Sequence, residues 1–219
     1  QWQVLATKII RSTFRDPSKQ PQDSLLPSSL VKKFDKSRTD YEKKDKNLID
    51  SLVAKTREVF PDLDPYVLRA IIWTLSKTQG AYAINWLRGD ELSLAKTEEL
   101  GLPSQPRIDQ ACEPESFKIV LTVLKLLTEF QPVLICFDET DTALVSDSGL
   151  LSSQLVAYLI KQIFDSLEHS DLSRGLVLVS FFFPSVWRDQ IRQLAGVSDR
   201  ILAGSSQPCL LYTSDAADE

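Results

Sequence analysis

The chain has 219 residues, 43% of them hydrophobic and 25% charged, with a formal charge of −5; this is apolar material for one sizeable core or two small ones, and it excludes a disordered or fibrous protein. No apolar run approaches the roughly 20 residues that a membrane span requires, and no signal peptide is read at the start. Cys112, Cys136 and Cys209 are too few and too scattered for a disulfide framework or a four-ligand zinc site, and His169 is the single histidine, so a reducing, cytoplasmic setting is expected.

The chain begins with Gln1 and contains no methionine, which reads as a fragment of a longer open reading frame. Its last eleven residues, Cys209 to Glu219, resemble a translated sequencing adapter and are set aside from fold reasoning. In the first fifteen residues Trp2, Leu5 and Ile9 recur at helical spacing, predicting a helix that stops before Asp16-Pro17. Residues 16–30, with Pro17, Pro21, Pro27 and four serines, read as a loop. The mixed-sign run 31–46 reads as a solvated helix face or mobile loop, with a phosphate-tracking patch as the alternative.

Leu48, Ile49, Leu52, Val53 and Val59 predict a helix ended by Pro61. Asp64 as N-cap and Pro65 at the first helical position open the next, with Leu68, Ile71, Ile72 and Leu75 as its core stripe up to Gly80. One or two short helices are expected around Gly89, and an amphipathic helix over 112–130. The five apolar residues Val133 to Phe137 read as a strand buried on both faces. A helix over 148–167 follows, then a second apolar strand from Leu176, a helix from Pro184 to about Ala195, and a third strand opening at Ile201 and Leu202. That alternation predicts an α/β fold with a parallel sheet, with an all-helical region over 1–130 and the α/β part over 131–208.

In an open parallel sheet, ligands bind beyond the carboxyl ends of the strands. The first predicted strand ends in Asp138-Glu139, and an apolar strand followed by Asp-Glu resembles the Walker B element of P-loop nucleoside triphosphatases. The resemblance implies that Asp138 holds Mg²⁺, commonly through water, and that Glu139 orients and polarises the attacking water. The plainer alternative is a strand end whose acids cap the next turn.

Ser180 closes the second predicted strand where many AAA+ ATPases carry the polar sensor-1 residue. Asp199-Arg200 falls where AAA+ proteins often place an arginine finger, whose charge would stabilise the transferring phosphoryl group; a surface pair with Asp199 is the alternative, and Arg188 and Arg192 are weaker candidates. Upstream, Trp86 to Pro103 (WLRGDELSLAKTEELGLP) precedes an amphipathic helix and then the acidic strand end. Over roughly residues 80–203 this arrangement is similar to bacterial ATP-binding proteins of the AAA+ and STAND type, some resembling origin-recognition ATPases and some found in phage defence.

The resemblance implies a partial P-loop ATPase sheet with a large helical insertion between the Walker A and Walker B elements. It also implies ATP and Mg²⁺ as cofactors, a protein or DNA partner, and, through Arg200, a homo-oligomer. Trp86 and Gly89 read as structural, an aromatic anchor and a helix terminator. No Gly-Lys dipeptide occurs, so the Walker A loop that cradles the phosphates is expected upstream of Gln1, and these residues alone are expected not to bind ATP tightly. The intact parent is then an ATPase and the fragment inactive. Asp138-Glu139-Thr140-Asp141 also fits the DExD box of a helicase-type motor, or the ligands of a metal hydrolase. A non-catalytic adaptor on the same scaffold is a further alternative. Cys136 and Phe181 to Phe183 read as core packing, and His169 as a residue of a polar turn.

Overall fold

A computed structural model of the chain describes residues 1–14, 26–104, 113–138, 145–146, 149–168, 172, 174–194 and 196–203. They fall into two compact units, one within Gln1–Phe130 and one within Gln131–Glu219.

The first unit is entirely helical among its described residues: α1 Trp2–Thr13, α2 Pro27–Glu42, α3 Leu48–Val59, α4 Pro65–Trp73, α5 Gly80–Arg88, α6 Leu94–Leu100 and α7 Glu113–Phe130. Its helix starts are chemically explicit. Asn47 Oδ1 accepts the Ile49 and Asp50 N–H groups at 2.9 and 3.2 Å, opening α3. Asp64 Oδ1 accepts from Tyr66 and Val67 at 2.9 and 3.2 Å, with Pro65 at the first helical position of α4. Pro27 sits in the same way at the start of α2, so residues 27–30, expected as loop, are helical.

Helix α4 is the centre of this unit, with Val67, Leu68, Ala70, Ile71, Ile72 and Trp73 all buried. It stops at Trp73 and does not continue to Gly80. Thr74 Oγ1 donates back to the Ile71 carbonyl at 2.6 Å, and Ser76 Oγ accepts the Gln79 N–H at 3.1 Å, so a polar turn intervenes before α5. Gly80 lies so close to that turn that a Cβ would stand 3.0 Å from the Thr74 carbonyl oxygen. Gly89 terminates α5 at φ 90°, a left-handed conformation in which glycine carries no steric penalty. The indole N–H groups of Trp73 and Trp86 donate to the Leu100 and Pro103 carbonyls, each at 2.9 Å, tying α4 and α5 to the end of α6.

The second unit contains β1 Val133–Phe137 and β2 Leu176–Ser180, joined through α8 Ser152–Leu167, then α9 Pro184–Val186 and α10 Val197–Ala203. The strands are parallel, paired from Val133 with Leu176 through Phe137 with Ser180. The fold class differs from the expected one: the described residues are mostly helical, their sheet has two strands, and no P-loop ATPase sheet is formed among them. Where a third strand was predicted at Ile201 and Leu202, the chain is helical. Val197 and Ile201 recur at i and i+4, and as a helix both reach the small core of Ala157 and Ile191.

Two further expectations change with it. β1 is covered on one face only, because Val133, Ile135 and Phe137 are half-buried while Leu134 is 63% exposed and Cys136 is exposed. Cys136 is therefore not a core residue. Val177, paired with Leu134, is 57% exposed, and Phe181 and Phe183 are exposed as well. Phe182 alone of the three phenylalanines packs on the core, beside Trp187. The helix expected from Pro184 to Ala195 is interrupted by a π-helical turn over Trp187–Ile191, closed by Arg192 N–H to Trp187 O at 2.8 Å. Within it Gln190 Oε1 accepts the hydroxyl of buried Ser153 at 2.6 Å, and Ile191 is fully buried.

Candidate functional site

The candidate site lies at the carboxyl ends of β1 and β2. Five apolar residues in β1 and four before Ser180 in β2 commit each segment to a strand, and the parallel register sets Phe137 opposite Ser180. The Phe181 N–H donates to the Phe137 carbonyl at 3.0 Å, carrying the ladder one step beyond the last pair. Asp138 therefore leaves β1 beside the end of β2, where Ser180 is half-buried and Asp138 is exposed. A carboxylate and a hydroxyl are brought to one end of a parallel pair, the end at which such sheets take ligands.

The other expected site residues are not gathered there. Glu139, Thr140, Asp141 and His169 lie outside the described residues. Arg200 is on α10 and is engaged with α8: its Nε lies 3.0 Å from Asp165 Oδ1 and its Nη1 3.4 Å from Glu168 Oε2, with the guanidinium 5.9 Å from the Phe164 ring centroid. Its ionic partner is thus not Asp199. Asp165 also accepts from Lys161 Nζ at 2.6 Å, and that hydrogen bond, chiefly, with the Arg200 charge behind it, holds the Asp165 carboxyl below its ordinary value. The cluster joins α10 to the last turns of α8. Arg188 is paired with its neighbour Asp189 at 2.7 Å, and Arg192 is exposed.

The fit to Mg²⁺ can be judged from the donor set. That ion takes six oxygens and keeps several waters, so one carboxylate with a neighbouring hydroxyl suffices on the protein side when phosphate oxygens complete the shell. The strand end offers one exposed carboxylate, Asp138, while Ser180, paired with Phe137, lies on the half-buried face. Among the described residues no group of three or more His, Cys, Asp or Glu is placed to hold a metal ion. No helix of the described residues is long and apolar enough to cross a membrane.

The periodicity of the sequence did not expose the π-helical turn, whose Ser153–Gln190 hydrogen bond links α8 to the segment after β2. Its only sequence signal is a polar residue, Gln190, beside the apolar Ile191 in an otherwise helical run. Comparison with family models, with curated proteins and with solved structures gives no match to this chain.

Proposed function

We propose that the second unit carries the acidic strand end of an ATP-hydrolysing site that acts on a partner in the cytoplasm. The observation that supports this most directly is the register of β1 against β2, which pairs Phe137 with Ser180 and so brings Asp138 to the same end of the parallel pair. Asp138 would hold Mg²⁺ through water, and the ion, when bound, supplies charge neutralisation at the phosphates. Glu139 would accept a proton from the attacking water and aim it at the γ-phosphate. Ser180 would donate to a phosphate oxygen from the adjacent strand. The phosphate cradle of such a site requires residues beyond these 219, which hold no Gly-Lys dipeptide.

The test uses the complete open reading frame that encodes these residues. Glu139→Gln is expected to lower the ATP turnover rate by about 10²- to 10⁴-fold, the range of general-base catalysis, while ATP binding is retained. An unchanged rate, or a reading frame without a Gly-x-x-x-x-Gly-Lys-Ser/Thr loop, overturns the proposal.

A second reading, a non-catalytic adaptor, is favoured by the state of Arg200. An arginine finger is held free for a neighbour's nucleotide, whereas this guanidinium is engaged by Asp165, Glu168 and Phe164 of its own chain. Under that reading Glu139→Gln leaves every measurable activity unchanged.

A further inference from the structure

The run 31–46 is mixed in sign along the sequence, and the fold sorts the signs. Lys32, Lys33, Lys36, Lys43, Lys44 and Lys46 are all exposed. At 3.6 residues per turn, the first four fall on one side of α2 and its cap, and Lys44 and Lys46 follow in the closing turn. Leu30, Val31 and Phe34 lie on the other side and pack into the core of the first unit.

The acids of the same run are largely taken out of competition. Asp35 accepts from Ser76 Oγ at 2.6 Å and from the Lys77 N–H at 3.0 Å, which brings the exposed Lys77 against the same helix. Glu42 accepts from Arg38 at 2.6 Å. Two acids answer the stripe: Asp40, 3.6 Å from Lys43, and the exposed Asp45 between Lys44 and Lys46. Among the described residues Lys32, Lys33, Lys36, Lys44, Lys46 and Lys77 have no ion-pair partner.

Such an arrangement is unfavourable to the isolated helix. Like charges at i and i+4, as in Lys32 and Lys36, and at i and i+3, as in Lys33 and Lys36, repel, with Asp40, four residues after Lys36, as the acid on the same face. A chain of net charge −5 that concentrates unpaired lysines on one helix face has a local field opposite to its overall charge.

We infer that this face of α2 is a docking surface for the phosphate backbone of a nucleic acid. Charge complementarity selects the polyanion: flexible ammonium groups spaced along about 20 Å of helix can meet successive phosphates without base contacts. A lipid surface fits less well. An interfacial helix buries its own apolar face in the acyl boundary, and the apolar face of α2 is already occupied by the protein core. The surface belongs to the first unit and needs no nucleotide, so it stands or falls separately from the ATP-site proposal.

The test is fluorescence anisotropy of the 219-residue protein with a labelled duplex of about 30 base pairs, without ATP or Mg²⁺, across a salt series. Affinity is expected to fall linearly on a log–log plot, each neutralised phosphate contributing a slope of about −0.9. Lys32→Gln/Lys33→Gln/Lys36→Gln should reduce that slope by about 2 to 3. Lys55→Gln/Arg57→Gln, removing two exposed cations of α3, should leave it unchanged. Thermal melts confirm that both variants are folded. Absence of salt-dependent binding, or equal slopes in the triple variant and the α3 variant, overturns the inference. Triple-variant loss of binding to phosphatidylserine vesicles alone, with duplex binding intact, overturns it in favour of a lipid surface.

Discussion

Asp64 shows how one side chain can serve two elements. Its Oδ1 caps α4, while its Oδ2 receives Lys118 Nζ of α7 at 2.7 Å. Burial raises the carboxyl's pKa, but the Lys118 hydrogen bond and the Val67 and Tyr66 N–H groups outweigh it, and the net shift is downward. A carboxyl whose folded pKa is depressed contributes stability that is complete above its ordinary value near ~3.9 and lost as the pH falls through the folded value. Asp64→Ala, which removes cap and ion pair together, is expected to lower stability by about 1–2 kcal/mol in urea unfolding at pH 7. Asp64→Asn keeps a capping oxygen and loses the charge. Its deficit relative to the wild type should therefore shrink between pH 6 and pH 3, and a deficit unchanged across that range would show that the charge of Asp64 contributes nothing.

At the scale of elements, what could be read from the sequence was whatever local chemistry decides. Asp64-Pro65 announces a helix start and Gly89 a helix end, because one capping oxygen and one left-handed φ settle those points without reference to the rest of the chain. The helix of residues 197–203 was not legible as such: Ile201 and Leu202 suit a strand by propensity, and only packing of Val197 and Ile201 on Ala157 and Ile191 selects the helix. Likewise, a five-residue apolar run cannot say how many of its faces will be covered. Val133 to Phe137 has no polar residue to mark an outer face, yet Leu134 and Cys136 are exposed. The candidate site was half legible for the same reason. Asp138 at a strand end follows from the sequence, whereas the pairing of Phe137 with Ser180 that brings both strand ends together, and the diversion of Arg200 to α8, depend on register and packing. The corrected strand has a direct chemical consequence, since an exposed thiol reacts with Ellman's reagent in the native protein and a core thiol does not. Cys136→Ser is expected to remove one rapidly reacting thiol equivalent under native conditions. If the wild type and Cys136→Ser release equal amounts of thionitrobenzoate in the fast phase, the outer face of β1 is covered.

At the scale of the whole molecule the two units differ in how much apolar surface supports them. In the first, a continuous core runs from Leu5 and Ile9 through Leu68, Ile71 and Ile72 to Leu100 and Leu126, each nearly or wholly buried. The second has a cluster of Ala157, Ile191 and Val197 with half-buried partners, and a parallel pair of five-residue strands whose outer face is exposed. Parallel pairing is slightly weaker per residue than antiparallel pairing, and a two-stranded sheet depends on whatever packs against it. Local opening free energies should follow that contrast, from near the global value in α4 to much less in the strands. Native-state amide hydrogen exchange of the intact chain tests this. The amides of Leu68 to Trp73 should be the slowest to exchange, and those of Ile135 to Phe137 and Leu178 to Ser180 should exchange by a lower-energy opening. Leu68→Ala, at a fully buried position, should accelerate the α4 amides by the equivalent of about 2–5 kcal/mol and leave the exchange of the strand amides, already set by local opening, much less affected. Protection in β1 and β2 equal to that in α4 would mean that the strands are held by more than the described residues supply. Asp138 and Ser180 would then stand on a rigid platform; on the expected outcome they occupy the part of the chain that opens most readily, where binding of a nucleotide would itself be the ordering event.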